Sequence, residues 1–474
     1  MKDAEIYAKL DSGAKQVLSK FVKANYECYL VGGSLRDLLL HKKVHDYDFT
    51  TNARPEQVEE LFHTQRVIET GIKHGTVTVL LANSSYEITT FRKDTTYSDH
   101  RHPDGIVFAD SLDEDLARRD FTINALAWSP ERGLVDLYAG LSDLSNGLIR
   151  AVNEPNERLK EDALRILRAL RFASTLGFEI ESKTKQAVWN LFDTLSYVAR
   201  ERILEEIDKL FLGQFAAPVL REFLDLFAFS YPELFQTNLL KEANCVELVE
   251  ALTEHKAFIQ SSLLELIKLK SQSNLPFVKS YFVSKENGAD MINFGAMQRE
   301  LSLVFYWSVY VHSQLDNLRK KFNLPNSKQL AKKLANSMCW SNVRRDLVSL
   351  CSDVLAPDFW HKYQTVEAVN WSDLLCIYGA EQLAYSLIYA VASAKLSLDY
   401  WQAFLAFVQA NSCWTLRDLN LRGDELLKLC PDLQGALINQ TLKNLWLAVL
   451  KGEVVNEKSA LEAYVKLSLE KTEK

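Results

Sequence analysis

The spacing of apolar residues changes near residue 150, and this change limits the fold more than any other feature of the chain. Before it, apolar runs of strand length alternate with segments of helical period. After it, strand signals fade and apolar residues recur at i, i+3 and i+4, most clearly in 157–176, 183–194 and 200–212. The pattern predicts an α+β fold, with strands and helices first and almost continuous helix over 155–474.

Length and composition are those of a globular chain with several cores. A chain of 474 residues exceeds one ordinary core, so we expect roughly two to four domains. Neither a membrane-spanning apolar run nor a secretion signal is visible, and the opening residues include acids. The seven cysteines are scattered without a Cys-x-x-Cys pair, which favours reduced thiols and argues against a zinc site. We therefore expect a cytoplasmic protein with no membrane partner.

The net charge of −7 argues against general affinity for nucleic acids, because such binding depends on Lys and Arg displacing counterions. A local basic surface is still compatible with it. Residues 319–333 hold six basic side chains and no acidic one. These are Arg319, Lys320, Lys321, Lys328, Lys332 and Lys333. A charge run is usually a solvated face, but a local basic surface of this kind would also suit the phosphates of a nucleic acid.

A glycine pair near the start of the chain suits the binding of phosphate. The apolar run Tyr29–Val31 stops at Gly32-Gly33, and a helix is predicted from Ser34. Glycines after a strand let the backbone approach a phosphate closely, and the following helix N-terminus attracts an anion. No GxxxxGK[ST] sequence occurs, so a P-loop NTPase is disfavoured.

Two aspartates follow on a second extended segment. Side chains alternate along a strand, so Asp46 and Asp48 should share one face while Tyr47 occupies the other. Neighbouring carboxylates repel each other unless a cation joins them, and hard oxygen ligands favour Mg²⁺. Glu87, on a later predicted strand, could be a third carboxylate of this centre or an ordinary edge residue. The sequence predicts a triphosphate cradle beside a metal-holding strand.

Four motifs occur in an order that resembles a known family. GGSLRD and DYDFTT (32–37 and 46–51) are followed by RRDFTINA (118–125), EDALRILRALRF (161–172) and ERILEE (201–206). This series resembles class II nucleotidyltransferases, which include CCA-adding tRNA nucleotidyltransferases and bacterial poly(A) polymerases. The specific match covers about residues 26–210, and a weaker likeness to bacterial CCA-adding enzymes follows over 416–455.

The resemblance implies a polymerase-beta-like, mixed-sheet nucleotidyltransferase head followed by an all-α neck, body and tail. It also implies how the chain divides into domains. The expected boundaries are 1–150 for the head with its metal site, 151–212 for a neck that selects the nucleobase, 213–320 for the body, and 321–474 for a tail that binds tRNA. The basic residues of 319–333 would then contact tRNA.

The implied reaction is attack of an RNA 3′-hydroxyl on the α-phosphate of CTP or ATP. Asp46 and Asp48 would be the catalytic carboxylates and hold two Mg²⁺ ions. Gly32, Gly33 and Arg36 would bind the triphosphate. The remaining nucleotide-binding residues implied by the resemblance are Arg119, Asp120 and Asn124 near ribose and phosphates, Asp162 and Arg165 on the base, and Arg168 and Arg171 on phosphate.

Several details of the motifs shape these expectations. The RRD sequence is expected inside a helix that opens near Ser111 and continues to Ala127. Asp162 and the arginines that follow it at spacing three are expected to form a row on one helix. Asp accepts and Arg donates, so Asp162 and Arg165 could imitate a base-pairing edge for C and A.

The resemblance also gives a meaning to the loop predicted over 93–110. Family members that add only two C residues typically lack such a loop, so its presence favours complete CCA addition. Addition of CC only, addition of A only and poly(A) synthesis remain alternatives within the family. A non-catalytic RNA-binding module is the alternative from another class. The oligomeric state is open.

Overall fold

The computed structural model describes residues 3–223 and 365–472 with short gaps, and only a few pieces between them. The gaps are 45, 69–74, 82–83, 95–105, 393–395, 412, 414–415, 432 and 434, and the intervening pieces include 283–286 and 289–292. The basic segment 319–333 lies outside the described residues. The chain forms two compact units, Met1–Gln236 and Thr237–Lys474.

The first unit is built on a seven-stranded sheet with the order β3-β4-β5-β2-β1-β8-β9. Its strands are β1 Cys28–Val31, β2 Tyr47–Thr51, β3 Arg66–Ile68, β4 Thr76–Leu81, β5 Ser84–Thr90, β8 Leu126–Ser129 and β9 Gly133–Asp136. Strands β2 and β5 pair in parallel, and the other neighbours are antiparallel. The predicted mixed-sheet head is therefore confirmed.

Helices cover both faces of this sheet. They are α1 Asp3–Lys9, α2 Ser12–Lys23, α3 Gly32–Leu39, α4 Pro55–Leu61, α5 Leu112–Ala117 and α6 Gly140–Asn146. Helix α2 begins where the Asp11 side chain accepts a hydrogen bond from the Ala14 amide, which satisfies one unpaired donor of the first turn. Its apolar face is buried in the larger core with Tyr47 and Phe49 of β2. Asp48, between these two residues, therefore lies on the opposite face, towards α5.

A second set of helices follows the sheet. They are α7 Pro155–Glu161, α8 Leu164–Leu176, α9 Ser182–Leu191, α10 Arg200–Phe211 and α11 Ala216–Glu222. Short parallel strands β10 Leu148–Ile149 and β11 Glu179–Ile180 pair beside them. Helix α8 packs against α10 and α11, and its Arg168 forms an ion pair with Asp120 of the RRD segment. This packing brings the neck arginines to the sheet.

The second unit is helical where the structure describes it, apart from a hairpin of β12 Val283–Glu286 and β13 Ala289–Ile292. Its described helices are α12 Trp371–Tyr378, α13 Ala380–Ala392, α14 Leu398–Ala410, α15 Gly423–Leu429, α16 Ala436–Leu450 and α17 Lys458–Thr472. Trp446 packs inside and donates a hydrogen bond to the Cys413 carbonyl at 3.1 Å. Within the described residues, no helix has the length and apolar character needed to cross a membrane.

Local expectations for the motif helices were partly wrong. Helix α3 starts at Gly32 and not at Ser34, because Gly32 takes a φ of +66° that lets the chain turn directly into the helix. The predicted helix over 111–127 ends at Ala117. The RRD sequence follows as a turn, and the buried residues from Leu126 form the strand β8.

The predicted helix over 157–176 is also interrupted. Asp162 has an extended backbone between α7 and α8, so it does not belong to the helical row of arginines. The described part of 155–474 is mostly helical, but it also contains β11 and the β12–β13 hairpin. The predicted loop 93–110 has ordered ends, since β6 Arg92–Asp94 pairs with β7 Ile106–Phe108, and its centre lies outside the described residues.

Candidate active site at the junction of sheet and helices

The glycine pair and the strand β2 form one wall of the site. A Cβ added at Gly32 would lie 3.2 Å from Arg119 Nη1 and 3.7 Å from Asp48 Oδ2, so only glycine leaves this space open. Ser34 joins the two segments: its hydroxyl donates to the Val31 carbonyl at 2.7 Å and accepts from the Asp48 amide at 3.3 Å. The backbone of β2 is thereby fixed against the start of α3.

Three carboxylates act on one another at the start of β2. Asp48 is paired in register with Glu87 of the parallel neighbour β5, and Asp46 lies exposed one residue before β2 begins. Burial raises the pKa of Asp48 to about 6, and the charges of Glu87 and Asp46 add to this, against Arg119 and Arg36. Such a group gains from a bound cation, because the cation relieves both the burial and the repulsion.

The donor set fits a hard divalent cation that substrate oxygens help to hold. Mg²⁺ is usually held by one or two carboxylates together with substrate phosphates. Among the described residues, no cluster of three or more His, Cys, Asp or Glu side chains has the geometry of a metal site. The carboxylates at β2 would therefore supply only some of the ligands of such a cation, and substrate oxygens would supply the others.

Arg36 is held deep in the site by contacts on several sides. It is 7% exposed and donates to Asp37 at 2.8 Å and to the Asn124 amide oxygen at 2.8 Å. Its guanidinium also lies 5.0 Å from the centre of the Phe172 ring. Asp37 is thus an internal partner of Arg36.

The turn after α5 is organised by Asp120. Its carboxylate accepts from the Phe121 amide at 2.8 Å, from Asn124 at 3.0 Å and from Arg168 at 2.8 and 2.6 Å. Burial would raise the pKa of Asp120, but Arg168 and the other donors outweigh it and hold the pKa well below its ordinary value. An ionised Asp120 therefore joins the turn to helix α8.

Arg165 is almost fully buried beside this turn. It donates to the Arg158 carbonyl at 2.8 Å, to Glu161 at 2.5 Å and to the Arg118 carbonyl at 3.1 Å. Asp162 accepts from the Leu164 amide at 3.0 Å, and its other oxygen lies 3.3 Å from Arg202. Hydrogen bonds to neighbouring protein groups thus fix the positions of both side chains.

Arg168 and Arg171 are both in ion pairs. Arg171 Nε lies 2.7 Å from Glu206, a residue of α10 that is 4% exposed. Burial, together with the nearby arginines Arg168 and Arg36, lowers the pKa of Arg171 to about 10 despite Glu206. Arg202 and Glu206 of α10 thus form ion pairs with Asp162 and Arg171, respectively.

These side chains surround one cavity of about 490 Å³. All of the residues predicted to bind nucleotide line it, and so does Asp48. Asp46 and Glu87 are not in its lining, although the charge of each acts on Asp48. The sequence analysis missed five lining residues, namely Arg92, Arg118, Leu164, Phe172 and Arg202. Most of them belong to the quoted motifs, so the motifs themselves were the available signal.

Comparisons with known proteins identify the relatives of this chain. Residues 28–150 match the poly A polymerase head domain family, and residues 177–242 match the probable RNA and SrmB-binding site of polymerase A. A CCA-adding enzyme of Lactobacillus helveticus is 51% identical over 212 residues, which cover 45% of this chain and 53% of that protein. One of Pediococcus pentosaceus is 40% identical over 273 residues, covering 58% and 68% respectively.

A solved structure extends the likeness to nearly the full chain. The Bacillus stearothermophilus CCA-adding enzyme in complex with CTP aligns with a TM-score of 0.69 at 26% identity, over 97% of this chain and 98% of that one. In sequence, the chain spans about half the length of the first curated relatives that it matches.

Proposed function

This chain belongs to the class II nucleotidyltransferase family of CCA-adding enzymes and bacterial poly(A) polymerases, and from that premise we propose that it adds CCA to tRNA 3′ ends. CTP and ATP would be its nucleotide substrates, tRNA its macromolecular partner, and the cytoplasm its location. No nucleic-acid template is required, because protein side chains read the incoming base.

One observation carries this proposal: a single cavity is lined by the Asp48 carboxylate, the glycine pair, a surplus of arginine, and both Asp162 and Arg165. Eight arginines and three aspartates line it, which gives an excess of positive charge for a triphosphate. In-line transfer needs placement and charge neutralisation more than a protein nucleophile. The cavity supplies both without offering a nucleophile of its own.

We assign the carboxylates of Asp46 and Asp48 to divalent cations, with Mg²⁺ the best match to oxygen ligands, and Glu87 to the third place around Asp48. Bound there, two such ions would lower the pKa of the attacking 3′-hydroxyl and neutralise the departing pyrophosphate. Arg36 and Arg119 would hold the triphosphate, and the Gly32 backbone would allow its close approach.

Base selection falls to Asp162 and Arg165 in this proposal. An acceptor beside a donor matches the amino group and ring nitrogen of C and of A. Each side chain is held by neighbours, so its polar edge has a defined position before nucleotide arrives. Discrimination of about 1–3 kcal/mol for each bidentate contact would favour C and A over U and G.

The test supplies tRNA lacking its 3′ end with each labelled nucleoside triphosphate in turn and then sequences the product ends. We expect C, C and A in order with CTP and ATP present, and no addition by Asp48→Asn, which should still bind tRNA. Products ending in CC only, one A or a long A tail would instead assign one of the other family activities. Addition by Asp48→Asn at the wild-type rate would contradict the metal assignment.

A further inference from the structure

Asp115 is a buried acid that does not line the cavity. It lies on α5, and its side chain has no exposed surface. An ionised carboxylate in such a place is costly unless charged partners compensate it. The partners of Asp115 therefore indicate its role.

Two of these partners are arginines of the cavity wall. Oδ1 accepts from Arg118 Nε at 3.0 Å and Nη2 at 2.8 Å, and Oδ2 accepts from Arg119 Nη2 at 3.0 Å. Burial would raise the pKa of Asp115, but the two guanidiniums outweigh it and lower the pKa below its ordinary value. One carboxylate thus holds two adjacent cations that would otherwise repel each other.

The same carboxylate reaches the strand that carries Asp48. The Thr50 hydroxyl lies 3.3 Å from Oδ2, and it shares its single hydrogen with the Thr89 carbonyl at 3.2 Å. The amide of Arg92, at the start of β6, lies 3.4 Å from Oδ1. Asp115 therefore connects the arginine pair to β2 and to the root of the segment after β5.

The donor atoms of Arg119 that Asp115 does not hold suit an anion in the cavity. Its Nη1 lies near the Gly32 wall beside Asp48, and its buried Nε has no hydrogen-bond partner in the part of the chain that the structure describes. Nη2 is held by Asp115, and Nη1 makes only one long hydrogen bond of 3.5 Å to the Asn124 carbonyl, so the guanidinium keeps donor capacity at the cavity wall. A triphosphate held there would lie against the carboxylate of β2.

We propose that Asp115 is a positioning residue for nucleotidyl transfer, which holds Arg118 and Arg119 in place relative to Asp48 so that they bind the triphosphate. The inference rests on the proposed function, because it assigns a role within that site. It concerns phosphate binding and not base selection. Loss of Asp115 should therefore affect CTP and ATP equally and leave the preference for C and A unchanged.

The deciding variant is Asp115→Asn, which keeps the shape of the side chain but removes its charge. We expect kcat/KM to fall by about 10- to 100-fold for both CTP and ATP, through a rise in KM, as for loss of hydrogen bonds to charged groups. Binding of inorganic tripolyphosphate, measured by calorimetry without metal, should weaken by a similar factor. Asp113→Asn, an exposed change on the same helix, is the matched control and should behave as wild type.

Unchanged tripolyphosphate binding and unchanged KM in folded Asp115→Asn, with only a lower melting temperature, would overturn the proposal. If this variant does not fold, Thr50→Val decides: we expect about 3- to 10-fold lower kcat/KM with both nucleotides, and wild-type kinetics would overturn the proposal. If the wild type adds nothing to tRNA, the proposed function fails, whereas the tripolyphosphate comparison still tests Asp115.

Discussion

Asp120 and Arg168 form the ion pair that joins the RRD turn to helix α8, and its chemistry is open to a pH test. The folded-state pKa of Asp120 is lowered, so the pair stabilises the protein above the unfolded pKa of about 4, and this stabilisation is lost as pH falls below it. The carboxylate is 8% exposed, which limits screening by solvent.

We predict that Arg168→Gln lowers the free energy of unfolding by about 1.5–3 kcal/mol at pH 7, as expected for hydrogen bonds to a charged group. The difference from wild type should narrow as the pH falls through about 4. Urea unfolding between pH 3 and pH 7 measures it, with the exposed Arg66→Gln as control. A difference that stayed constant over this range would show that Asp120 is not the titrating partner.

Arg165 offers a test of base selection. Arg165→Lys keeps the charge but removes the planar fork, so we predict that the preference for C and A over U and G falls by about 10-fold. Single-nucleotide addition rates with the four triphosphates measure this ratio. Lys160→Gln, an exposed change in α7, should leave it as in wild type. An unaltered ratio in Arg165→Lys would remove the base-reading role.

At this scale the motifs predicted much of the cavity wall, since all of the residues expected to bind nucleotide line it. The residues that were missed depend on contacts distant in sequence. Arg202 lines the cavity only because α10 packs beside Asp162, and Phe172 only because α8 brings it over Arg36. Neither contact leaves a trace in local spacing.

At the scale of elements, the two misjudged helices have different physical causes. Apolar spacing continues through Asp162, but its side chain accepts the Leu164 amide and so ends one helix and starts the next. The run from Leu126 to Ser129 is buried throughout, so it has no alternation that would distinguish a strand from a helix. The spacing of apolar residues reveals an apolar face. It does not reveal a side chain that takes a backbone hydrogen bond, and it does not distinguish a strand from a helix when every residue is buried.

The joint between α6 and the short 3-10 helix Thr122–Asn124 depends on a glycine. A methyl group added at Gly140 would overlap the carbonyl oxygen of Thr122, a backbone atom that cannot move without shifting Asn124. We predict that Gly140→Ala destabilises the protein by about 1–3 kcal/mol, the usual cost of overpacking, and lowers kcat/KM. Melting curves and kinetics measure the two effects.

Gly423→Ala is the matched control, because its added methyl group would meet Ile438 at an ordinary 3.7 Å. It should change neither quantity by more than the usual effect of a surface substitution. If Gly140→Ala were as stable and active as wild type, the close contact between Gly140 and the Thr122 carbonyl would not be needed to position Asn124.

At the scale of the whole molecule, the sequence predicted the order of a mixed-sheet head and mostly helical remainder, because the change of period near residue 150 is long and consistent. It could not predict which strands pair. Asp48 lies opposite Glu87 through a parallel pairing of residues 39 positions apart, and such a register is set by the packed sheet. The β12–β13 hairpin was missed within a segment of weak pattern.

We also predict that tRNA binding has a strong dependence on salt despite the acidic net charge. Lys320→Gln and Lys321→Gln together should reduce the slope of log K against log salt by about one for each lost phosphate contact. The KM values for CTP and ATP should stay as in wild type, since this segment is expected to contact tRNA and not the incoming nucleotide. Filter binding at several salt concentrations measures the slope, and an unchanged slope would exclude this segment from the tRNA interface.

The excess of arginine around the cavity has a consequence for the protein in the absence of substrate. The arginines around the cavity repel one another, and this repulsion lowers the stability of the folded head. A bound polyphosphate would reduce the repulsion. Ligands that bind only the native state add to its stability in proportion to the logarithm of their concentration. A nucleotide that binds as proposed would therefore stabilise the folded head in addition to serving as substrate.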